Sequence, residues 1–240
     1  MTILQLQRRC EFVLFVLLLV GATTGLLAQT TGSGGLVSIR LEQKQGALVR
    51  TVSQNTVFHG GDILRFRLTS RIAGFLYVVD KGTTGTTATL FPGSGHAANN
   101  RIEPGQNYLV PADGDGWFEV SGPPGFDILY FLVSATPIEL PPAAAGAPNQ
   151  ETPEATPPPP PGLLPRCDDE IFKARGECID STAGVAPLAP GGPVPRELIP
   201  LAKTASRDII LTNDGDGTAV QPGSTAKLPL IYTFRLAHRE

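Results

Sequence analysis

The chain has 240 residues, of which 41% are hydrophobic and 17% are charged, and it contains 27 glycines and 23 prolines. A chain of this length can bury one sizeable core, but so many glycines and prolines argue against a helical bundle and favour an all-β domain with long loops. The formal net charge is −3. Nothing basic is concentrated enough to indicate nucleic-acid binding, so we expect no nucleic-acid partner.

The first 28 residues are typical of a secretory signal peptide. Arg8 and Arg9 precede an unbroken apolar run over residues 12–20, and Leu26-Leu27-Ala28 places a small residue at a cleavage point before Gln29. The apolar run is short for a transmembrane span. We therefore expect an exported protein, periplasmic or extracellular, that has lost residues 1–28. The alternative is an uncleaved anchor, which would be the only contact of the chain with a membrane.

Removal of the leader also removes Cys10, so the exported chain keeps Cys167 and Cys178 alone. An even pair of cysteines in an exported chain predicts a disulfide. Between the two cysteines, residues 168–175 are predicted to form two helical turns, with acidic side chains at the positive end of the helix dipole. Gly176 would end this helix.

Short predicted strands alternate with turn residues between positions 29 and 140. They span residues 37–42, 47–52, 64–68, 75–79, 86–91, 108–110, 117–120 and 128–133. Most alternate apolar and polar residues, as strands with one buried face do, whereas 75–79 and 128–133 are apolar on both faces and are predicted to be central strands. Short strands at regular spacing predict an all-β fold, a single β-sandwich of about eight to ten strands that is immunoglobulin-like in character.

Proline is concentrated in the second half of the chain. Of the 23 prolines, 11 lie in residues 137–165 and 5 lie in residues 187–200. Such stretches lack the apolar surface that would offset the entropy of ordering them, and they favour an extended or disordered chain. We therefore expect residues 141–205 to be a proline-rich insertion or linker that carries the short disulfide-bridged segment.

Residues 206–240 are predicted to supply the last strands, 208–211 and 230–236. Tyr232, Phe234 and Leu236 alternate with polar residues, so the final strand needs a core for one of its faces. The insertion has too few apolar residues to build a second core. We therefore expect residues 206–240 to complete the sandwich begun by residues 29–140.

A series of motifs runs through residues 57–135. In chain order they are Phe58 with Gly61-Asp62, Leu64-Arg65-Phe66-Arg67, Gly74-Phe75-Leu76-Tyr77-Val78, Leu90-Phe91-Pro92, Asn100-Arg101-Ile102, Gly105 and Tyr108 with Val110-Pro111, and Gly122-Pro123-Pro124-Gly125. Together they resemble the bacterial family of domain of unknown function 4384. In that family the domain often accompanies secreted or envelope proteins and is also joined to peptidase-like or kinase-like modules, so the resemblance implies an accessory interaction role.

Four side chains make up a candidate interaction surface. Arg65 and Arg67 share one face of a predicted strand, and Arg101 lies in a predicted loop, so the three could form an anion-binding patch; the alternative is an ordinary solvated face. Trp117 and its neighbour Phe118 cannot both point to the same face of a strand. An outward aromatic ring suits a carbohydrate or a partner protein, unless a loop covers it.

Two Asp-Gly clusters, residues 113–116 and 213–217, resemble fragments of calcium-binding loops. Neither completes an EF-hand, because Pro124 in one case and Ser224 or Thr225 in the other stand where a bidentate glutamate is needed. Asp-Gly repeats between strands are also ordinary turns. We therefore assign no metal site.

The inventory of catalytic residues is thin. The histidines are His59, His96 and His238, and the sequence has no His-Glu-x-x-His and no Gly-x-Ser-x-Gly motif. No cofactor is expected. The sequence therefore predicts a non-catalytic interaction module with a protein or envelope-glycan partner. The alternative is an envelope-associated hydrolase that acts on glycan or peptide through scattered residues such as His96.

Overall fold

The computed structural model describes eight stretches of the chain, which are residues 36–93, 100–112, 115–140, 164–189, 191–206, 208–214, 217–222 and 228–240. All of them belong to the unit Gly34–Glu240. The predicted leader and residues 141–163 of the insertion lie outside this description. Among the residues that are described, no helix is both long and apolar enough to cross a membrane.

Fourteen strands and three short helical segments form the described part of the chain. The strands are β1 (Val37–Gln45), β2 (Leu48–Val52), β3 (Val57–His59), β4 (Ile63–Ser70), β5 (Gly74–Lys81), β6 (Thr87–Phe91), β7 (Arg101–Ile102), β8 (Asn107–Val110), β9 (Phe118–Glu119), β10 (Gly125–Ser134), β11 (Gly184–Pro187), β12 (Ile209–Asp214), β13 (Gly217–Pro222) and β14 (Leu230–Arg239). The helical segments are α1 (Glu170–Ala174), a 3₁₀ turn (Arg196–Leu198) and α2 (Ile199–Ala202).

The strands form two sheets of seven strands each. The first sheet has the order β12-β13-β1-β4-β8, with β2 also paired to β1 and β9 also paired to β4. The second sheet has the order β11-β14-β10-β5-β6, with β3 also paired to β14 and β7 also paired to β5. The pairing of β3 with β14 is parallel, and the other pairings are antiparallel. The predicted all-β sandwich is confirmed.

The strand count exceeds the predicted eight to ten because the sequence hides several short strands. β3 and β7 have only three and two residues, too few for an alternation pattern to be visible, whereas β9 falls within the predicted strand 117–120. β11 lies in the proline-rich insertion and was not expected there. Within the disulfide segment, α1 has five residues and is shorter than the predicted two turns.

The core between the two sheets is centred on aromatic rings. Phe66 of β4 packs edge-to-face against Phe131 of β10 and Phe234 of β14, with ring centroids 5.7 and 4.9 Å away. Each of the three side chains is fully enclosed. Edge-to-face pairs of this kind add to the free energy gained by burying the rings, so this contact joins the two sheets at their centre.

The last strand lies in the interior of the second sheet. β14 pairs with β10 from His238 opposite Gly125 to Leu230 opposite Val133, although residues 134–229 intervene. Its other edge pairs with β11. The C-terminal strand therefore completes the sandwich, as the alternation of its residues predicted.

The insertion covers the outer face of the second sheet. Tyr77, Tyr130 and Ile231 on that face pack in one buried cluster with Leu198 and Ala202 of the helical segments. The Tyr130 hydroxyl also donates a hydrogen bond of 2.8 Å to a carbonyl oxygen of the insertion. β5 and β10 are thus buried on both faces, which explains why their sequences are apolar throughout.

Cys167 and Cys178 form the predicted disulfide, with their Cα atoms 4.8 Å apart. The bridged segment is docked on the sandwich, because the carbonyl of Cys178 accepts a hydrogen bond of 2.9 Å from the backbone N–H of Val57 in β3. Cys178 and Val57 also share a small apolar cluster with Ala237 of β14. The backbone hydrogen bond and the apolar cluster thus attach the bridged segment to one end of the second sheet.

The packing of Phe234 in the core predicts how substitutions change the free energy of unfolding. Phe234→Ala should lower the free energy of unfolding by about 3–5 kcal/mol, because it leaves a cavity between the sheets. Ile210→Ala, at a β12 side chain that is 51% exposed, should change it by no more than about 0.5 kcal/mol. Urea unfolding of the two variants checks this. Equal losses of stability would show that β14 is not part of the core.

Candidate functional site

Two arginines and a glutamate form an ion-pair cluster on the outer face of the first sheet. Arg65 of β4 lies directly opposite Glu42 of β1, and Arg67 lies opposite the preceding outward residue, Arg40. The Nε atoms of Arg65 and Arg67 each donate a hydrogen bond of 2.6 Å to a different oxygen of Glu42. One carboxylate therefore holds both guanidinium groups in fixed positions.

Glu42 is only 7% exposed although it lies on an outer face, because the arginine side chains cover it. Burial opposes ionisation of its carboxyl group. The hydrogen bonds and positive charges of Arg67 and Arg65 outweigh this effect and hold the pKa of Glu42 below its ordinary value. The carboxylate is therefore ionised at neutral pH, and the cluster keeps its geometry there.

Trp117 lies against this cluster. The Arg65 guanidinium is 4.1 Å from the centre of the Trp117 ring, and the Lys44 ammonium is 5.5 Å from it. The neighbouring Phe118 points inward and stacks on Phe66 with ring centroids 5.9 Å apart. Trp117 is therefore the outward member of the pair. We call Glu42, Lys44, Arg65, Arg67 and Trp117 the Trp117 face.

Arg101 does not belong to the Trp117 face. It lies on β7, which pairs with β5 in the second sheet, whereas Arg65 and Arg67 lie in the first. Its Nε atom donates a hydrogen bond of 2.5 Å to Glu103, and both side chains are well exposed. The anion-binding patch of three arginines suggested by the sequence is therefore not formed, because the predicted loop around Arg101 is a short strand on the other sheet.

Several predicted features fall outside the described residues. These are Ser94 and His96 as well as Asp113, Gly114, Gly215 and Asp216 of the two Asp-Gly clusters. The two Asp-Gly clusters carry no assigned metal site, and the hydrolase alternative through His96 stays a prediction. In the part of the chain that is described, no three His, Cys, Asp or Glu side chains are grouped so that they could hold one metal ion.

A polar cluster that sequence reasoning missed occupies one end of the sandwich interior. Asp80, Asp127 and His238 lie on three neighbouring strands, β5, β10 and β14, at positions that continue the core-facing alternation. Asp80 is opposite Leu129 and Asp127 is opposite Leu236, so these polar residues are diagonal neighbours across the strands. The Nε2 atom of His238 is 3.5 Å from Oδ1 of Asp127.

Asp80 and Asp127 of this cluster line a pocket of about 310 Å³ between the two sheets, a volume at the lower end of the range for small-molecule sites. Residues of the β5–β6 loop, of β9 and of the chain after β9 close it. Its polar lining includes Asp80, Asp127, Glu119, Thr83, Thr84, Thr86 and Ser121, and its apolar wall includes Leu90, Phe118, Val120, Leu129 and Leu236. We call it the end pocket.

Two glycines of the Gly122-Pro123-Pro124-Gly125 turn determine the shape of the end pocket. A Cβ atom at Gly125 would lie 2.8 Å from Cγ2 of Thr83, and one at Gly122 would lie 3.3 Å from its Oγ1. Any larger residue at Gly125 would therefore require the Thr83 side chain to move. The backbone N–H of Thr83 donates a hydrogen bond of 2.8 Å to Oδ1 of Asp127, which fixes the loop against β10.

Asp80 has an unusual proton affinity. Burial raises its pKa to about 7, and the nearby carboxylate of Asp127 adds to the increase, while a backbone hydrogen bond from Lys81 opposes it. Oδ1 of Asp80 and both ring nitrogens of His238 are enclosed, yet they have no hydrogen-bond partner in the described part of the chain. Enclosed polar atoms without partners are rare in folded proteins, and strongly shifted pKa values are concentrated at functional sites.

The sequence does contain a signal for the end pocket. Tyr232, Phe234 and Leu236 define the inward positions of β14, and His238 follows at the same parity. Asp127 lies two residues before the inward Leu129 and so has the same parity on β10. A polar residue at an inward position near a strand end indicates a polar end of the core. The pattern does not show that the three ends meet, because that depends on strand order.

Residues 57–137 match the family described as Domain of unknown function (DUF4384). The match spans 81 of the 240 residues and confirms the resemblance. It includes Arg65, Trp117, Asp80 and Asp127, and it excludes Glu42 and the end of β14. No curated protein and no solved structure shows a significant match to the chain.

Asp80 should make stability depend on pH. Its pKa is about 7 in the folded protein and 3.8 in the unfolded reference, so the folded state binds more protons between these values and loses stability as the pH rises through them. From pH 5 to pH 8, the unfolding free energy of the native protein should fall by roughly 1–3 kcal/mol more than that of Asp80→Asn.

Urea unfolding at the two pH values measures this difference. Asp115→Asn is the matched control, because the Asp115 side chain is 72% exposed and its replacement should leave the pH dependence intact. Identical pH profiles for the native protein and Asp80→Asn would contradict the assignment.

Proposed function

We propose that this protein is an exported bacterial accessory protein, secreted or associated with the cell envelope, whose sandwich is a non-catalytic interaction module. The partner binds at the Trp117 face. The observation that carries the proposal is the fixed contact between Arg65 and the Trp117 ring, with 4.1 Å between the guanidinium carbon and the ring centre.

The Trp117 face has the composition of a binding hot spot. Tryptophan and arginine are the residues most enriched among those that dominate binding energies at interfaces. Because Glu42 already holds the guanidinium of Arg65, this side chain loses little freedom when a partner binds. A preorganised aromatic and cationic surface is thus available without a conformational change.

The charges of this face favour an acidic partner protein over a glycan. Arg40, Lys44, Arg65 and Arg67 outnumber the two carboxylates beside them, the buried Glu42 and Asp115, which lies 3.9 Å from the Lys44 ammonium. The Arg67 side chain is 33% exposed and so within reach of a ligand. Because the Arg65 guanidinium lies over the Trp117 ring, less of the ring is available for a sugar to stack on. Carboxylates of a partner protein can instead pair with Arg67 and Lys44.

Two features support export. The first is the leader-like composition of residues 1–28. The second is the disulfide between Cys167 and Cys178, since structural disulfides persist mainly in oxidising compartments.

A hydrolase is the second candidate, and the end pocket is the observation in its favour. A carboxyl group with a raised pKa beside a second carboxyl group is a common arrangement for general acid catalysis, and Asp80 and Asp127 have this relationship. Turnover of envelope glycans or peptides by the purified protein, lost in Asp80→Asn, would favour this candidate. If the purified protein shows no turnover, the non-catalytic interaction module remains the proposed function.

The interaction surface is tested by comparing two surface variants in a quantitative pull-down from envelope extract. Trp117→Ala removes the aromatic anchor and should weaken partner binding by about 30-fold or more, the usual effect at a hot spot. Arg101→Ala removes an exposed cation on the other sheet and should retain the partner. Equal recovery by both variants would exclude the Trp117 face.

Export is tested separately by fractionating cells that express the full chain. We expect to find the protein outside the cytoplasm. Mass spectrometry should show that residues 1–28 are removed and that no thiol is free. A cytoplasmic protein with two free thiols would contradict it.

A further inference from the structure

The end pocket has acidic side chains but no cationic one. Asp80 and Asp127 contribute carboxyl groups, and no lysine or arginine is among the residues that line it. Oδ1 of Asp80 has no partner within the described residues. An ionised carboxyl group can only accept hydrogen bonds. The ligand that complements such a site is a donor with positive charge.

His238 lies beside the end pocket, although it is not among the residues that line it. Its side chain is only 1% exposed, yet neither ring nitrogen has a hydrogen-bond partner in the described part of the chain. It stands behind Asp127, with 3.5 Å between Nε2 and the nearer carboxyl oxygen. Asp127 is held instead by the backbone N–H of Thr83, which donates a hydrogen bond of 2.8 Å to its Oδ1.

The opposite wall of the pocket is apolar. Leu90, Leu129 and Leu236 line it together with Phe118 and Val120. Phe118 is already stacked on Phe66, so its ring is engaged within the core. A ligand that fits both walls carries a cationic head on a short hydrocarbon chain, because the chain can be buried while the head meets the carboxylates.

We propose that the end pocket binds a primary aliphatic ammonium group, such as the side chain of a lysine in a peptide or one end of a free diamine. An ammonium group has three donors and no acceptor, which matches the unfilled acceptors of the pocket. The end pocket shares no residue with the Trp117 face, and the test of ammonium binding does not depend on the proposed interaction module.

A metal ion fits the pocket less well than an ammonium group. The carboxyl groups of Asp80, Asp127 and Glu119 are not grouped closely enough to hold one ion together, since the described residues contain no such set. A divalent cation needs several oxygen ligands within about 2.0–2.6 Å. An ammonium group is satisfied by hydrogen bonds at ordinary distances.

Binding should depend on pH through Asp80. The ionisable groups around it are Asp127 of β10, His238 of β14, Glu119 of β9 and the adjacent Lys81. The Asp80 carboxyl group attracts a cation only when it is ionised. If the ionised form alone binds, the affinity should rise about tenfold from pH 6 to pH 8, and binding at pH 6.5 should release a proton.

The test is isothermal titration calorimetry on the purified protein at pH 8. The probes are Nα-acetyl-lysine N-methylamide, 1,5-diaminopentane and Nα-acetyl-norleucine N-methylamide, which resembles the lysine probe but lacks its ammonium group. We expect at least one amine probe to bind and the norleucine probe not to bind. Binding of the lysine probe alone indicates a peptide lysine, and binding of the diamine alone indicates a free amine; either result supports the proposal.

Two pocket variants and one control complete the experiment. Asp80→Asn and Asp127→Asn should each weaken amine binding at least tenfold, and Asp80→Asn should also abolish the rise with pH. Asp127→Asn retains an oxygen that can accept from Thr83 N–H. Asp115→Asn removes the same charge at a solvated position and should bind as the native protein does. Circular dichroism confirms that each variant is folded.

The proposal is overturned by any of four results. These are no binding of either amine at millimolar concentration, equal binding of the lysine and norleucine probes, unchanged binding in both pocket variants, and saturation of the pocket by calcium or N-acetylglucosamine without competition from the amines.

Discussion

The pairing of β14 with β10 is the constraint on which the rest of the structure depends. These strands align from Gly125 opposite His238 to Val133 opposite Leu230, and β14 therefore lies in the interior of the second sheet. β14 also supplies Phe234 to the aromatic centre of the core. Without this strand, β10 would become an exposed edge with apolar residues on both faces, which favours aggregation. The intervening chain must therefore leave the sandwich and return to it.

The same pairing determines which faces of the sandwich are covered and which are exposed. On its way back, the chain covers the outer face of the second sheet with Leu198 and Ala202. The outer face of the first sheet instead carries charged residues around the buried Glu42, and Trp117 packs against one of them, Arg65. The strand ends of β5, β10 and β14 converge where the interior becomes polar, and the end pocket forms there. A buried face, a charged face and a polar end thus follow from one topology.

The sequence predicts most of the fold because alternation is a local property. It indicates the sandwich and the final strand, and it indicates that Trp117 and Phe118 point to opposite faces. Each of these predictions follows from the alternation of side chains along single strands. It does not indicate that Glu42 meets Arg65, because the register between β1 and β4 is a relation between strands. The position of Arg101 and the meeting of Asp80 with Asp127 depend on strand order in the same way.

Native-state hydrogen exchange tests the central role of β14 most directly. If β14 belongs to the core, the amides of Tyr232 and Phe234 should exchange only through global unfolding, with the same free energy as those of Leu129 and Phe131 in β10. Exchange from β14 at a free energy lower than that of β10 by about 2 kcal/mol or more would show that the last strand opens separately. That result would contradict the account.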